Sequence, residues 1–406
     1  MTWNPRSLAL ILAALGSLAG CATLVPEKAP ECAACPVCPA VKPETPSAPP
    51  AEPMVLANWA ELPGWSDDDA GQAWGALIAS CSRLKQPEWR PVCDAIQALG
   101  QRPSASAARA LLEERLQPWR IQNADGTKEG LITGYYEPLI RGSRTRTGRY
   151  ATPVLGVPDD LLTIDLGSLY PELKHMRLRG RLVGNRVVPY DSRASIDEKG
   201  AAGTLPAKVL LWAEDPIDFF FLQVQGSGQV QLADGGRIRI AYADQNGHPY
   251  LSIGRWLVAK GELKAEQAGM DGIRAWARAN PQRLSEMLDA NPSYVFFKEA
   301  PNNGEGPHGA LGVPLTAQRS IAVDVRTVPL GAPVFLATTY PRSETPLRRL
   351  VLAQDTGGAI KGRVRADFFW GFGAEPGAKA GNMRQKGALW VLWPRDHRPP
   401  TAASAG

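Results

Sequence analysis

Through residues 65–120 the apolar residues recur at helical spacing. Trp74, Leu77, Ile78 and Cys81 share one face behind the acidic triplet Asp67-Asp68-Asp69, a charge sign that suits the positive end of a helix. Pro91, Val92, Cys93, Ile96 and Leu99 predict a second helix. Leu111, Leu112 and Leu116 predict a third, with Ser106 as its cap. From Leu131 the pattern changes to short apolar runs cut by Gly and Pro. Residues 133–137 and 152–157 read as strands, and 208–213 as a short strand or helix end. Residues 219–225 alternate most sharply, with Phe220, Leu222 and Val224 on one face and Phe221, Gln223 and Gln225 on the other, which predicts a strand. Residues 249–291 return to helical spacing through Ile253, Trp256 and Leu257, then Ile273, Trp276 and Ala277. Pro281 opens a further helix holding Leu284 and Leu288. From Tyr294 to Trp393 strands dominate.

The first 55 residues follow neither period. Residues 1–21 read as a secretory signal: Arg6 is the lone basic residue, and the apolar run 8–18 is too short to span a bilayer as a helix. The signal ends in Leu18-Ala19-Gly20-Cys21, which resembles a bacterial lipoprotein cleavage box and implies a lipid-modified Cys21; several acyl chains together hold a protein on a membrane. The next residue is Ala22 rather than aspartate, which by resemblance to enterobacterial lipoproteins favours the outer membrane. Residues 22–55 are a Pro-rich tether, without the apolar content to bury a core. Cys32, Cys35 and Cys38 lie in it at Cys-x-x-Cys spacing, without the second ligand pair or βαβ context that a metal or redox site needs; their purpose stays open. A tail, 399–406, is expected to be disordered.

Without signal and tether, roughly 340 residues remain, which suggests two domains. Hydrophobic content of 44% and charge of 21% are ordinary for a globular chain. Forty glycines and 36 prolines suit a β-rich, turn-rich fold. A net charge of +5 is slight for this length and, with no basic stripe interleaved with aromatics, gives no sign of nucleic-acid binding. His175, His248, His308 and His397 show no metal-ligand spacing, and no phosphate-binding glycine pattern follows a strand; no metal and no cofactor are expected. Cys81 and Cys93 are the cysteines of the folded region. In an exported protein they suit a disulfide between adjacent helices, with two buried thiols as the alternative.

Candidate chemistry gathers in residues 351–371. An apolar run leads to Asp355, then a glycine-rich turn through Gly357, Gly358, Ala359 and Gly362, then Asp367 beside Phe368, Phe369 and Trp370. An apolar surround disfavours a charged carboxylate and so suits a general acid. Asp355-Thr356-Gly357 also matches the aspartic-protease tripeptide, but those enzymes need two such loops and no second one occurs. The glutamines at 223 and 225, beside an aromatic on one strand face, suit a sugar-binding surface, because amides bond hydroxyls and rings stack on pyranose faces.

Asp324, Asp355 and Asp367 in one β-rich segment resemble the three-aspartate domain of the membrane-bound lytic murein transglycosylase A family. Further matches come in order from about residue 133 to 393: Gly134-Tyr135-Tyr136-Glu137-Pro138, Val188-Pro189-Tyr190-Asp191-Ser192-Arg193, the run 221–228 ending in Ser227-Gly228, Gly254-Arg255-Trp256-Leu257, and Asn291-Pro292-Ser293-Tyr294-Val295-Phe296-Phe297. The resemblance implies a mainly β fold with N-terminal helices. It places a double-psi β-barrel in 56–140 plus 292–398 (three-aspartate segment 316–395), a smaller β-rich domain inserted at 141–291, and a groove between them.

It also implies a peptidoglycan lytic exotransglycosylase, a carbon–oxygen lyase that cuts the β-1,4 bond between N-acetylmuramic acid and N-acetylglucosamine and leaves a 1,6-anhydro ring. The residues by themselves leave endo versus exo action, peptide-stem preference and protein partners open. By motif position Asp367 is the acid/base and Asp355 its partner. Thr133, Tyr135, Gln223, Gln225, Ser227, Asp324, Gly358 and Ala359 are the implied substrate contacts. The partners expected are glycan strands, the outer membrane through Cys21 and a cell-wall synthesis or division complex, for a monomer on the periplasmic face. A non-catalytic, expansin-like wall binder and a murein hydrolase are the alternatives.

Overall fold

A computed structural model describes residues 50–173, 176–302 and 304–400. The signal, Cys21 with its lipid, most of the tether with Cys32, Cys35 and Cys38, and residues 401–406 lie outside the described residues.

In chain order, the first stretch holds β1 (Met54–Leu56), the helices α1 (Trp74–Cys81), α2 (Arg90–Ala98) and α3 (Ala105–Arg115), then β2 (Leu116–Ile121) and β3 (Gly130–Glu137). The second holds β4 (Leu139–Ser143), β5 (Thr152–Leu155), β6 (Leu162–Thr163), β7 (Arg179–Val183), β8 (Arg186–Pro189), α4 (Arg193–Ala202), β9 (Val209–Ala213), α5 (Pro216–Gln225), β10 (Ser227–Leu232) and β11 (Arg237–Gln245). It continues through α6 (Ile253–Ala259), α7 (Met270–Ala279) and α8 (Leu284–Asp289) to β12 (Val295–Ala300). The third holds β13 (Ser320–Val323), β14 (Pro333–Thr339), β15 (Pro346–Asp355), β16 (Arg365–Phe372), α9 (Ala374–Asn382) and β17 (Arg384–Pro394).

Six strands close into a barrel in the order β17-β14-β15-β13-β16-β3, with β3 pairing back onto β17; β2 and β1 extend the sheet from β17. Closure removes the free sheet edges that would otherwise pair with other chains. One core joins barrel and helices: Trp74, Leu77, Trp89 and Ile96 are buried together with Phe335, Leu350, Trp390 and Trp393. Trp89 meets Trp393 edge-on at 5.2 Å. Each such side chain contributes about 1.5–3 kcal/mol by leaving water.

The acidic triplet divides: Asp67 and Asp69 are exposed, Asp68 is not. Asp69 caps the short turn ahead of α1 through Gly71 N. Asp68 is buried, accepting from Arg319 Nη1 at 2.9 Å and from Leu350 N at 2.7 Å, so it fastens the helical segment to the barrel. Ser104, not Ser106, caps α3, accepting from Ala107 N. Cys81 and Cys93 are disulfide-bonded, with Cα atoms 5.5 Å apart, joining the end of α1 to α2.

The second stretch builds a six-stranded sheet, β12-β11-β10-β4-β9-β5, and a small sheet, β6-β7-β8. Two expectations change here. Residues 219–225 are not a strand but the last two turns of α5. Asp215 caps the helix by accepting from Ile217 N at 2.8 Å, Pro216 sits at its first turn, and Gly226 ends it at φ 82°. These end signals fit a helix only. The alternation misleads because the helix is apolar nearly all round: Phe219 and Leu222 pack into the core of the six-stranded sheet, while Ile217, Phe220 and Phe221 pack with α6, α7 and α8. Val224, assigned to the apolar face, is exposed. The second change concerns the chain's return to the barrel, expected at 292. Residues 295–300 form β12, which pairs with β11, so the return follows Ala300. The helices α4 and α9 were not anticipated.

Candidate active site

The register of the barrel lines up the site. Asp355 pairs with Ala322 across β15 and β13, Ala322 with Asp367 across β13 and β16, and Asp367 with Thr133 across β16 and β3. Thr133 in turn pairs with Arg384 of β17. Residues paired across neighbouring strands project to the same face, so both carboxylates lie in one row with only the methyl of Ala322 between them. Period two adds Tyr135 to this face from β3 and Phe369 from β16. Their rings meet at 5.1 Å, and with Leu315, Ala322 and Ile360 they form a small apolar cluster beside the acids.

Gly134 makes the close packing of β3 possible: a Cβ there would stand 2.6 Å from Trp370 Nε1 and 3.0 Å from the backbone of Ala380. Gly309 does the same for the loop beside Asp355, since a Cβ there would meet Gln354 O at 2.4 Å.

Asp367 Oδ1 accepts from Thr133 Oγ1 at 2.6 Å. The residue is half-buried. Burial pushes its pKa up to about 6, helped by the charge of Asp355 and opposed by the Thr133 hydrogen bond and by Arg365. Asp355 accepts from Ala310 N and Thr356 N, each at 2.9 Å, and from the Tyr135 hydroxyl at 3.1 Å. Burial raises its pKa as well, against those three hydrogen bonds and the charge of Arg177. Tyr135 is driven far above the ordinary phenol range by burial and the two carboxylates; it stays a neutral donor. The pair is therefore unequal: Asp355 is held by three donors, Asp367 by one hydroxyl with its second oxygen left to act. A carboxyl with pKa near 6 both gives and takes a proton around neutrality.

The other expected contacts fall at different depths. Asp324 is buried, accepting from Arg326 and from Gly362 N at 2.9 Å. Burial acts to raise its pKa, but Arg326 and the backbone donors bring it below the usual carboxylate value; it is an anchor for the turn between β15 and β16. Gly358 and Ala359 sit exposed in that turn. Gln225 Oε1 accepts from Tyr136 N at 3.0 Å, so it braces β3 next to Tyr135. Ser227, half-buried, starts β10 opposite Ala241. Gln223 is not on an open face with Gln225: it is buried, accepting from Arg193 Nη1 at 2.8 Å and donating to Val295 O at 3.1 Å.

Three contributors escaped the sequence reading. Arg177 reaches from the second stretch to Thr356 Oγ1 at 3.3 Å, a contact spanning 179 positions that no local pattern signals. Ala310 N depends on a loop of no regular structure. Arg365 was legible, because it stands two residues before Asp367 on the same strand face. Among the described residues no group of three His, Cys, Asp or Glu side chains is placed to hold a metal.

A closed barrel with two half-buried carboxylates of unequal surroundings on one face, its strands separated in the chain by a second β-sheet, describes the class of fold and site. Residues 131–298 match the MltA specific insert domain and residues 319–393 the 3D domain. The membrane-bound lytic murein transglycosylase A of Escherichia coli K12 is 34% identical over 285 residues, 68% of this chain and 69% of that protein. The crystal structure of MltA from Neisseria gonorrhoeae, monoclinic form, is 37% identical with a TM-score of 0.74, covering 88% of this chain and 99% of that one. E. coli MltA with bound chitohexaose is 27% identical with a TM-score of 0.62, covering 86% and 96%. The chain belongs to the membrane-bound lytic murein transglycosylase A family, enzymes that cleave peptidoglycan.

Proposed function

We propose that this enzyme cuts the β-1,4 bond between N-acetylmuramic acid and N-acetylglucosamine and leaves 1,6-anhydromuramic ends, with Asp367 as the single acid/base. The observation that carries the reading is the asymmetry of the row: Asp367 is raised to about 6 and has one oxygen hydrogen-bonded, while Asp355 has both oxygens hydrogen-bonded. Asp367 protonates the glycosidic oxygen. The C6 hydroxyl of the same muramic residue then attacks C1, and Asp367 takes its proton, so one carboxyl serves both steps. An ordinary glycosidase needs a second carboxyl to act as nucleophile or to activate water; here the nucleophile is part of the substrate and pays no cost of encounter.

Thr133, Tyr135 and Phe369 on the same face, and the exposed turn at Gly358 and Ala359, are the proposed walls of a groove for glycan strands. Chitohexaose bound to the E. coli relative supports an oligosaccharide as the ligand. The double-psi connection of the barrel and the description of 141–291 as an inserted domain belong to this same reading, with the boundary moved past Ala300. So do a monomer, partners in a wall-synthesis or division complex, and a lipid anchor at Cys21 on the periplasmic face of the outer membrane. Mass spectrometry of digested sacculi tests the chemistry: anhydro products one water lighter than hydrolytic ones support it, reducing-end products point to a hydrolase, and no products to a wall binder.

A further inference from the structure

Arg365 is the charged group of the site that the acid/base scheme leaves without a task. It stands on β16 two residues before Asp367, half-buried, and its Nη2 donates to Thr133 Oγ1 at 2.9 Å. Its Nη1 donates to the carbonyls of Leu131 and Ala366, so the guanidinium is fixed by backbone on both β3 and β16. Thr133 Oγ1 in turn lies 2.6 Å from Asp367 Oδ1. A guanidinium has donors and no acceptor. Once Arg365 occupies the Thr133 oxygen, the hydroxyl proton is directed away from it, toward Asp367. Oδ1 of Asp367 is then an acceptor, and a proton on this carboxyl sits on Oδ2.

We infer that Arg365 is a positioning residue that works through Thr133: it fixes the direction of the Thr133 hydroxyl and so holds the transferable proton of Asp367 on the oxygen left free for substrate. The proposal rests on the reading of Asp367 as acid/base. Without Arg365 the hydroxyl can turn, Oδ1 can carry the proton and donate a hydrogen bond to Thr133 Oγ1, and the carboxyl spends part of its time with its proton on the wrong oxygen. The other charged or titratable groups near Asp367 are Tyr135 on β3, Asp355 on β15 and Arg384 on β17, with Arg177 acting on Asp355 from the second stretch; β13 contributes Ala322 and no charge. Arg365 also opposes the burial that raises Asp367, so its loss has a titration signature as well as a rate.

The test uses Arg365→Met, which keeps the stem and removes donor and charge, Arg365→Lys, which keeps both, Thr133→Val, and the Met/Val double variant. Release of products from sacculi gives kcat and KM across pH, and carbon-detected NMR follows the Asp367 carboxyl directly, assigned by its loss in Asp367→Asn. Arg365→Met should lower kcat roughly 10-fold or more, the size of a lost hydrogen bond in a charge-assisted chain, with KM little changed. The Asp367 titration should move upward from about 6, and Arg365→Lys should restore most of the rate and the wild-type titration. In the Thr133→Val background, Arg365→Met should cost little more, because the path is already cut. Multiplying losses in the double variant, or an Asp367 titration that Arg365→Met leaves in place, overturns the relay. If instead Asp367→Asn keeps full activity while the NMR shifts appear as expected, the acid/base reading fails and the hydrogen-bond chain stands.

Discussion

Asp367 and Asp355 have the same side chain in the same row, and their surroundings make them different groups. Asp367→Asn keeps size and polarity but exchanges no proton. Turnover should fall roughly 10²–10⁴-fold, the usual size of a lost acid/base, while the protein still sediments with sacculi, because Thr133, Tyr135 and the 356–362 turn are untouched. A variant that keeps near wild-type turnover would move the chemistry elsewhere. The pH dependence follows from the sign of the shift. Asp367 enters the reaction protonated, so kcat/KM should fall as pH rises through a value near 6. Asp355→Asn removes a like charge that helps raise Asp367, so this limb should move to lower pH. The variant should also be slower, but less so than Asp367→Asn. A limb that stays in place or moves up contradicts the coupling.

At the scale of elements, α5 shows what pattern reading weighs wrongly. Seven residues alternate in a way that fits a strand, yet Asp215, Pro216 and Gly226 mark both ends of a helix. The helix lies between two apolar cores, so no polar face reveals its period. The consequence reaches the site: in a strand Gln223 and Gln225 would share a face, whereas in α5 one is buried on Arg193 and the other braces Tyr136. The disulfide between α1 and α2 was legible, because a close cysteine pair in a chain read as exported has few other uses. It closes a loop with a sequence separation of 12. Replacing both cysteines by serine should cost roughly 2–4 kcal/mol by the loop-closure argument. Thermal melts of the oxidised, reduced and serine forms check this, and melts that coincide would show that the helices hold by packing alone.

At the scale of the whole molecule, β3 is shared between the two architectures. Its first residues close the barrel against β16 and β17. Its last, Glu137, is buried against Arg239 of β11 and Gln229 of β10, so the second sheet is tied to the strand that carries Thr133 and Tyr135. The proposed lipid anchor is a separate matter, read from the sequence around Cys21. Cys21→Ala should release the protein from membranes into the soluble periplasmic fraction. If it still pellets with outer membrane after a high-salt wash, the lipid-anchor reading is wrong.

The sequence by itself determined the β-rich class, the helices ahead of it and which two cysteines could pair, while the structure showed the bond. It also carried the carboxylates, because helical and strand periods, cysteine economy and an acid among aromatics are local properties. The motif order from Gly134 to Phe297 carried the family for the same reason: each motif is a short run of neighbours. What only the tertiary structure decided is which distant residues meet. Asp355, Ala322, Asp367 and Thr133 form one row because four strands, two of them more than two hundred residues apart in the chain, take one register. That register is set by barrel closure and by the close approach that Gly134 allows, and no window of sequence contains it. The different fates of Asp355 and Asp367 follow from the same fact, since burial and hydrogen-bond count belong to the space around a side chain and not to its place in the chain.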